Sequence, residues 1–277
     1  MTINPRLEAA QNAVPEIVDY ARRKALVESK LSELPSADDP QEAASAVVAE
    51  ALSAFLDSGT WPADVDERAR TAYVDAIAAA EIRGQLAYMR TEFRNGHELK
   101  GIVERRAPEI LEHLDGQLRD VLEAVRTDLS ALGGVRTAED AINAPKASME
   151  AYKRVAALVP ELLSIREAQW TTLSDTVDVT GPHSPLRHAK RDGWGHVRGA
   201  ALPADHAAEA AAGRFTLDHL VWLAQQSGAY VPTDADEFIE ARQAYRASLT
   251  DDGSVPREPD PYGDDPLIID ARKATHV

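Results

Sequence analysis

The stretch 108–134, "PEILEHLDGQLRDVLEAVRTDLSALGG", decides the fold that the sequence predicts. Apolar side chains recur in it every seven residues, which is typical of a long α-helix that packs along another helix. The row consists of Leu111, Leu118, Val125 and Leu132, with Leu114, Val121, Leu122 and Leu129 beside it. The stretch therefore predicts a long helix with one buried seam.

A second row, spaced alternately by three and four residues, predicts another long helix. It consists of Met149, Tyr152, Ala156, Val159, Leu163, Arg166, Trp170 and Leu173. Between the rows, "GGVRTAEDAINAP" at 133–145 combines turn residues with Thr137, which can cap one short helix. We therefore expect the two long helices to run antiparallel. The charge of Arg166 should pair with an acid on a facing helix or point to the rim.

Further helices are predicted where a capping residue precedes Pro, at Asn4 and Asp39, and over about 62–95. Two shorter helices are predicted from Thr216 and Thr233. The fold class is all-α, an elongated antiparallel helical bundle or hairpin with a small mixed C-terminal lobe and an extended tail. The predicted domains are a long-helix bundle at 1–175, an irregular and helical lobe at 176–250, and an acidic, Pro-rich tail at 251–277.

The charge balance limits the classes of partner. Lys and Arg number 30 against 46 Asp and Glu, so the net charge is −16. A chain this acidic is repelled by nucleic acid and anionic lipid, and proteins or small ligands are the expected partners. The absence of Cys excludes disulfides and thiolate chemistry. Because no apolar stretch is long enough to span a bilayer, we expect a cytoplasmic protein without a membrane segment.

One basic segment stands out in this acidic chain, "GPHSPLRHAKRDGWGHVRG" at 181–199, which we call the basic loop. We predict that it docks on an acidic protein surface through charge and one indole ring. The predicted partner-binding residues are Arg187, Lys190, Arg191, Trp194 and Arg198. The loop's histidines, His183, His188 and His196, are five and eight residues apart, which matches no metal motif, so no metal or cofactor is expected.

Two alternatives use the same loop. The first is an enzyme or ligand-binding protein whose pocket contains the loop histidines or Trp194. The second is a regulatory module that binds nucleic acid through the loop's Lys and Arg side chains.

Motifs for phosphate loops, nucleophile elbows and metalloprotease sites are absent from the sequence. Histidines do stand beside acids in "GHEL" (96–99), "EHLD" (112–115) and "LDHL" (217–220), but adjacent helix residues do not face one another. We therefore interpret these three segments as solvated helix faces and predict no catalytic residue. The expected function is that of a non-enzymatic structural or assembly protein, acting as a homo-oligomer.

In outline the chain resembles helical accessory or assembly proteins of bacteriophages with GC-rich actinobacterial hosts. The shared features are helices rich in Ala, Glu and Arg, the absence of Cys, and a short basic segment in an acidic chain. The resemblance implies a role in head assembly, virion decoration or a connector, and therefore a location in the virion.

Overall fold

The structure is a computed structural model, and it describes residues 4–34, 39–176, 195–241 and 243. Within these ranges the regular secondary structure is helical and no strand forms, which confirms the predicted all-α class. The helices are α1 (Pro5–Asn12), α2 (Pro15–Glu33), α3 (Pro40–Ser58), α4 (Val65–Asn95), α5 (His97–Leu132), α6 (Ala138–Asn143), α7 (Lys146–Thr176), α8 (Ala204–Ala211), α9 (Leu217–Gln225) and α10 (235–241). In the described ranges, no helix combines the length and the apolar character needed to cross a bilayer.

The helix ends follow local capping chemistry. Asn4 accepts hydrogen bonds from the backbone of Arg6 and Leu7 at the start of α1, and Asp39 accepts one from Gln41 at the start of α3. The side chain of Thr137 caps α6, as predicted. Capping needs only neighbouring residues, so these boundaries could be predicted from the sequence. In contrast, α8 has no counterpart among the predicted helices.

Contacts divide the chain into two compact units. The α3–α4 unit comprises Glu16–Gly101, and the α5–α7 unit comprises the described residues of Met1–Pro15 and Ile102–Val277. The domain organisation expected from the sequence stays a prediction, because 177–194 and 244–277 lie outside the described residues.

In the α5–α7 unit, the two long helices run antiparallel. Arg154 of α7 pairs with Asp128 of α5 at 2.6 Å. Farther along α7, Glu161 lies 2.8 Å from Arg6, and Arg6 also reaches Gln117 of α5 at 3.4 Å. The partner on α5 therefore moves to lower numbers as α7 advances. This order confirms the predicted hairpin.

The seam of α5 is buried as predicted, since Leu111, Leu118, Val125 and Leu132 are at most 1% exposed. The row predicted for α7 is wrong over its first half. Its members from Met149 to Leu163 are only half-buried, whereas the fully buried side chains lie one position earlier. These are Ala151, Val155 and Leu162. Because α7 also packs against α1, α6 and α9, its covered face is rotated relative to the row that the largest side chains suggest.

In the α3–α4 unit, α3 and α4 pack side by side, and small residues on both helices, including Ala44 and Ala72, are half-buried. Tyr20 of α2 packs edge-to-face on Phe93 of α4, with ring centroids 5.2 Å apart, and donates a hydrogen bond to the Phe93 carbonyl. The buried apolar residues that the structure describes in this unit are Ile17, Tyr20, Val27, Ala51, Val65 and Phe93.

Candidate functional site

The second half of α7 places polar side chains inside the α5–α7 unit. Arg166 and Gln169 share a helix face because they are three residues apart. Arg166 is 2% exposed and Gln169 is fully buried. The Arg166 guanidinium donates from Nη1 to the Gln169 side-chain oxygen at 2.8 Å. The sequence had led us to expect that Arg166 pairs with an acid or points to the rim. Instead the side chain is buried, and no acid among the described residues accepts a hydrogen bond from it.

The remaining acceptors of Arg166 are main-chain carbonyls. Nη1 donates to Tyr230 at 2.8 Å and to Gly195 at 3.2 Å, and Nη2 donates to His196 at 3.3 Å. The segments that supply these carbonyls are joined to each other, since the Tyr230 amide donates to the His196 carbonyl at 3.2 Å. Arg166 thus fixes two chain segments after α7 onto the helix.

Gly195 allows this close approach. Its φ of 78° lies in the left-handed region, and a Cβ at this position would overlap the Phe238 ring and lie 3.1 Å from Nε2 of Gln169. Phe238 itself packs edge-to-face on Trp170, with centroids 5.5 Å apart. Only glycine fits here without displacing the aromatic pair.

Burial alters the ionisation of Arg166. Removal from water lowers the pKa of the guanidinium to about 9, while the charge of Asp115 opposes this shift. Because this pKa remains above 7, Arg166 is a cation at neutral pH. Among the described residues its hydrogen-bond acceptors are all uncharged.

Three buried histidines, which we call the histidine cluster, lie next to this cation. His196, His206 and His219 are at most 7% exposed. The ring centroids are 5.0 Å apart for His206 and His219 and 6.0 Å apart for His196 and His219. Phe215 and Trp222 surround them, with the Phe215 ring 4.8 Å from His219. Across the described part of the chain, no group of three or more His or acidic residues has metal-binding geometry.

The histidines at the centre of this cluster are kept neutral. Burial, followed by the charges of His206 and Arg166, lowers the pKa of His219 to about 3. Burial and the Arg166 charge also place the pKa of His196 well below its ordinary value. Within the described ranges, neither ring nitrogen of His219 has a hydrogen-bond partner, and Nδ1 of His196 has none either. His219 therefore acts as an apolar ring in this environment.

A cavity of about 250 Å³ adjoins Arg166 and His196. Its wall combines a cation and an imidazole with apolar groups, and Glu167 also contributes. The described lining residues are Leu163, Arg166, Glu167, Trp170, His196, Ala210, Ala212, Gly213 and Phe215. A concave, largely apolar space with a few converging polar groups is the usual form of a small-molecule site.

A different kind of candidate surface lies in the α3–α4 unit. On α3, Val48, Leu52, Phe55 and Leu56 are 39 to 75% exposed and share one helix face, which we call the outer α3 face. Trp61 extends it by packing edge-to-face on Phe55 at 6.1 Å. Exposed large apolar side chains also occur along α4. They are Tyr73, Val74, Ile77, Ile82, Tyr88 and Met89.

Of the five predicted partner-binding residues, Arg187, Lys190, Arg191 and Trp194 lie outside the described residues, as do His183 and His188. Arg198 lies on the surface, where its guanidinium pairs with Glu237 and stands 4.3 Å from the centroid of the Tyr230 ring. Its assignment to a partner surface stays a prediction.

Sequence reasoning missed most of the buried polar site. "LDHL" was interpreted as a solvated helix face, which is wrong for His219 and right for Asp218, whose exposed side chain pairs with Arg136 at 3.2 Å. The burial of His219 could have been predicted from the apolar run "LVWLA" that follows it. A helix segment this rich in apolar residues packs in the interior, and a histidine at its start is buried with it. For His206 the Ala-rich neighbourhood carried no comparable signal.

Comparison of the sequence with protein-family models found no match, and neither the search of curated proteins nor the search of solved structures returned a similar chain.

Proposed function

We propose that this chain is a non-enzymatic structural or assembly protein that acts through protein–protein contacts, with the α3–α4 unit as its principal contact surface. The observation that carries the proposal is the outer α3 face. Its four apolar side chains follow the spacing of a buried helix stripe, yet they face solvent in the isolated chain.

The distribution of exposed apolar residues supports this assignment. Among the described residues, the large apolar side chains that are well exposed lie in the α3–α4 unit, with Ile142 as the exception. Single exposed apolar residues are common on any protein, but contiguous apolar surfaces on a monomer rarely exceed a few hundred Å². A helix pair with apolar side chains on its outer as well as its inner faces gains stability when a further helix covers it.

A second copy of the chain is the partner that we propose for this surface. The residues of α3 include Glu42, Glu50 and Asp57 but no Lys or Arg, whereas α4 carries equal numbers of acidic and Arg side chains, with Arg90 and Arg94 near its end. A surface that combines an acidic helix with a neighbouring helix of mixed charge can be complementary to itself across a two-fold axis. The expected product is a homo-oligomer.

The basic loop provides a second proposed contact, through Arg187, Lys190, Arg191, Trp194 and Arg198. The narrower proposal, a component of a bacteriophage virion or head, rests on the composition of the chain. In that proposal, the same self-association would occur as part of a larger assembly.

Sedimentation velocity tests the proposal. The parent chain should sediment as a concentration-dependent oligomer. The double variant Leu52→Ser/Leu56→Ser should sediment as a monomer with unchanged helical circular dichroism, because both side chains are more than half exposed within the chain. Ile142→Ser is the matched control, since Ile142 is 79% exposed on α6, outside the α3–α4 unit.

A parent chain that remains monomeric at all concentrations would exclude self-association. Equal oligomer formation by the parent and the double variant would exclude the outer α3 face as the contact surface. Loss of the oligomer in the Ile142→Ser control would show that the effect does not depend on α3.

A further inference from the structure

Among the described residues, no acid accepts a hydrogen bond from the buried Arg166 cation, and the charge of Asp115 acts on it only through space. Its hydrogen bonds go to one side-chain amide oxygen and three main-chain carbonyls, all uncharged. A guanidinium this deeply buried is costly to desolvate unless a negative charge lies close to it. The charge of Asp115 does not fully offset this cost, because burial still lowers the pKa of Arg166 to about 9. An anion in direct contact with the guanidinium would stabilise it further.

Unused hydrogen-bonding groups identify the side on which such an anion would be held. Nε of Arg166 and Nδ1 of His196 are buried, and neither has a hydrogen-bond partner in the part of the chain that the structure describes. Both residues belong to the wall of the 250 Å³ cavity. Unpaired buried polar atoms are rare in folded proteins, and two of them on residues that form one cavity wall point to a ligand that pairs with both.

The rest of the wall determines what the anion can be attached to. Trp170 and Phe215 supply aromatic rings, and Leu163 and Ala210 supply aliphatic groups. An apolar cavity of about 150 Å³ can hold benzene. The larger cavity beside Arg166 therefore has room for one aromatic ring and a short acidic group.

The available donors favour a carboxylate over a phosphate. Nε is the Arg166 nitrogen that has no acceptor among the described residues, and a neutral His196 imidazole can donate one hydrogen from Nδ1, so these two donor atoms match the two oxygens of a carboxylate. A phosphate dianion needs more donors than these two. In addition, Glu167 in the wall repels any anion, and it repels a phosphate dianion more strongly than a singly charged carboxylate.

We infer that the cavity formed by α7, His196 and Phe215 is a binding site for a small aromatic monocarboxylate, whose carboxylate pairs with Arg166 and His196. The site belongs to the α5–α7 unit, so it does not depend on self-association through the α3–α4 unit.

Equilibrium dialysis of the full chain with phenylacetate tests this site. Phenylacetate should bind with a stoichiometry of one per chain. Its neutral analogue phenylacetamide should bind at least about tenfold more weakly, because it cannot form the charge-assisted hydrogen bond. Leu163→Trp fills the cavity while keeping Arg166 and should abolish binding, whereas Leu158→Trp, a half-buried position of α7 outside the described lining, should preserve it.

Both tryptophan variants are first checked for the parent's melting temperature, and Ala210→Leu replaces Leu163→Trp if the latter unfolds. The inference is overturned if phenylacetate does not bind, if phenylacetamide binds equally well, or if the cavity-filled variant binds like the parent. Competition by inorganic phosphate at similar concentration would also overturn it, by showing a general anion site.

Discussion

Arg166 and Tyr230 are 64 residues apart in the chain, yet Nη1 of Arg166 donates a 2.8 Å hydrogen bond to the Tyr230 carbonyl. This bond and the one to Gly195 attach the segments before α8 and after α9 to α7. A side chain that appears in the sequence as an interruption of an apolar row therefore organises the polar interior of the α5–α7 unit.

Replacing Arg166 with Met should lower the free energy of unfolding by about 2 to 4 kcal/mol, because the carbonyls of Gly195 and Tyr230 lose their donor inside the protein. Arg166→Lys should recover part of the loss, since an ammonium group restores a charge and some donors. Urea unfolding at pH 7 measures both values. Parent-like stability of the Met variant would show that desolvation of the guanidinium cancels the gain from its hydrogen bonds.

Gly195→Ala should destabilise the protein more than Gly199→Ala does. Both glycines have positive φ, so both variants carry backbone strain of about 1 to 3 kcal/mol. Only at position 195 would the new Cβ also overlap the Phe238 ring, since no atom lies within 4 Å of a Cβ at position 199. The difference between the two melting temperatures isolates that overlap, and equal values would contradict the packing described for Phe238.

Alanine substitutions test the register of α7. Leu162→Ala should cost about 2 to 5 kcal/mol, like Leu118→Ala on α5, because both side chains are fully buried. Leu163→Ala, at a half-buried position, should cost less than about 2 kcal/mol. Chemical denaturation of the three variants measures these free energies of unfolding. A larger loss of stability for Leu163→Ala than for Leu162→Ala would show that the row predicted from the sequence is the buried one.

Acid should destabilise the α5–α7 unit through the histidine cluster. The folded-state pKa of His219 is about 3, below its ordinary value of 6.5, so the unfolded chain binds more protons between these two pH values. Stability is therefore full above about pH 6.5 and falls as the pH drops towards 3, by up to about 1.4 kcal/mol per pH unit for this residue. His196 adds a contribution of the same sign.

Urea unfolding of the parent and of His219→Leu at several pH values between 3 and 7 measures this dependence. The slope against pH should be smaller in the variant. His113→Gln, which changes an exposed histidine of α5, is the control and should keep the parent's slope. An unchanged slope in His219→Leu would show that acid acts on other groups.

Charge reversal tests the predicted role of the basic loop. Arg187→Glu together with Arg191→Glu should weaken self-association, and high salt should reproduce part of this loss in the parent. Trp194→Ala should weaken association in a way that salt does not reproduce, because burial of an indole ring is not screened. Sedimentation of each variant at low and high ionic strength checks the prediction. If both variants associate as the parent does, the basic loop is not part of the interface.

A feature of the fold could be predicted when the residues that determine it lie close together in the sequence. The caps at Asn4, Asp39 and Thr137 involve residues a few positions away, and their helix starts were predicted correctly. The seam of α5 was predicted because one face alone is strongly apolar. The register of α7 was not, because its apolar residues extend beyond one face and neighbouring helices select which of them are covered.

The candidate site was predicted only in part for the same reason. His196 was recognised as a possible pocket residue, while the burial of His219 and the hydrogen bonds of Arg166 were not anticipated. The partners of Arg166 include carbonyls 29 and 64 residues away, and a main-chain carbonyl leaves no mark in the residue pattern. Side-chain identity cannot indicate such an acceptor before the chain is folded.

By itself, the sequence determined that this protein is helical, where several of its helices begin, and that α5 buries a seven-residue seam. These features follow from backbone capping and helical periodicity, which act within a few turns. Only the tertiary structure decided that Arg166 is a buried cation beside a cavity and that the three histidines of the histidine cluster pack together next to it. It also decided that the outer α3 face is left uncovered. Each of these depends on contacts between segments that are distant in the chain, and such contacts exist only once the helices have packed.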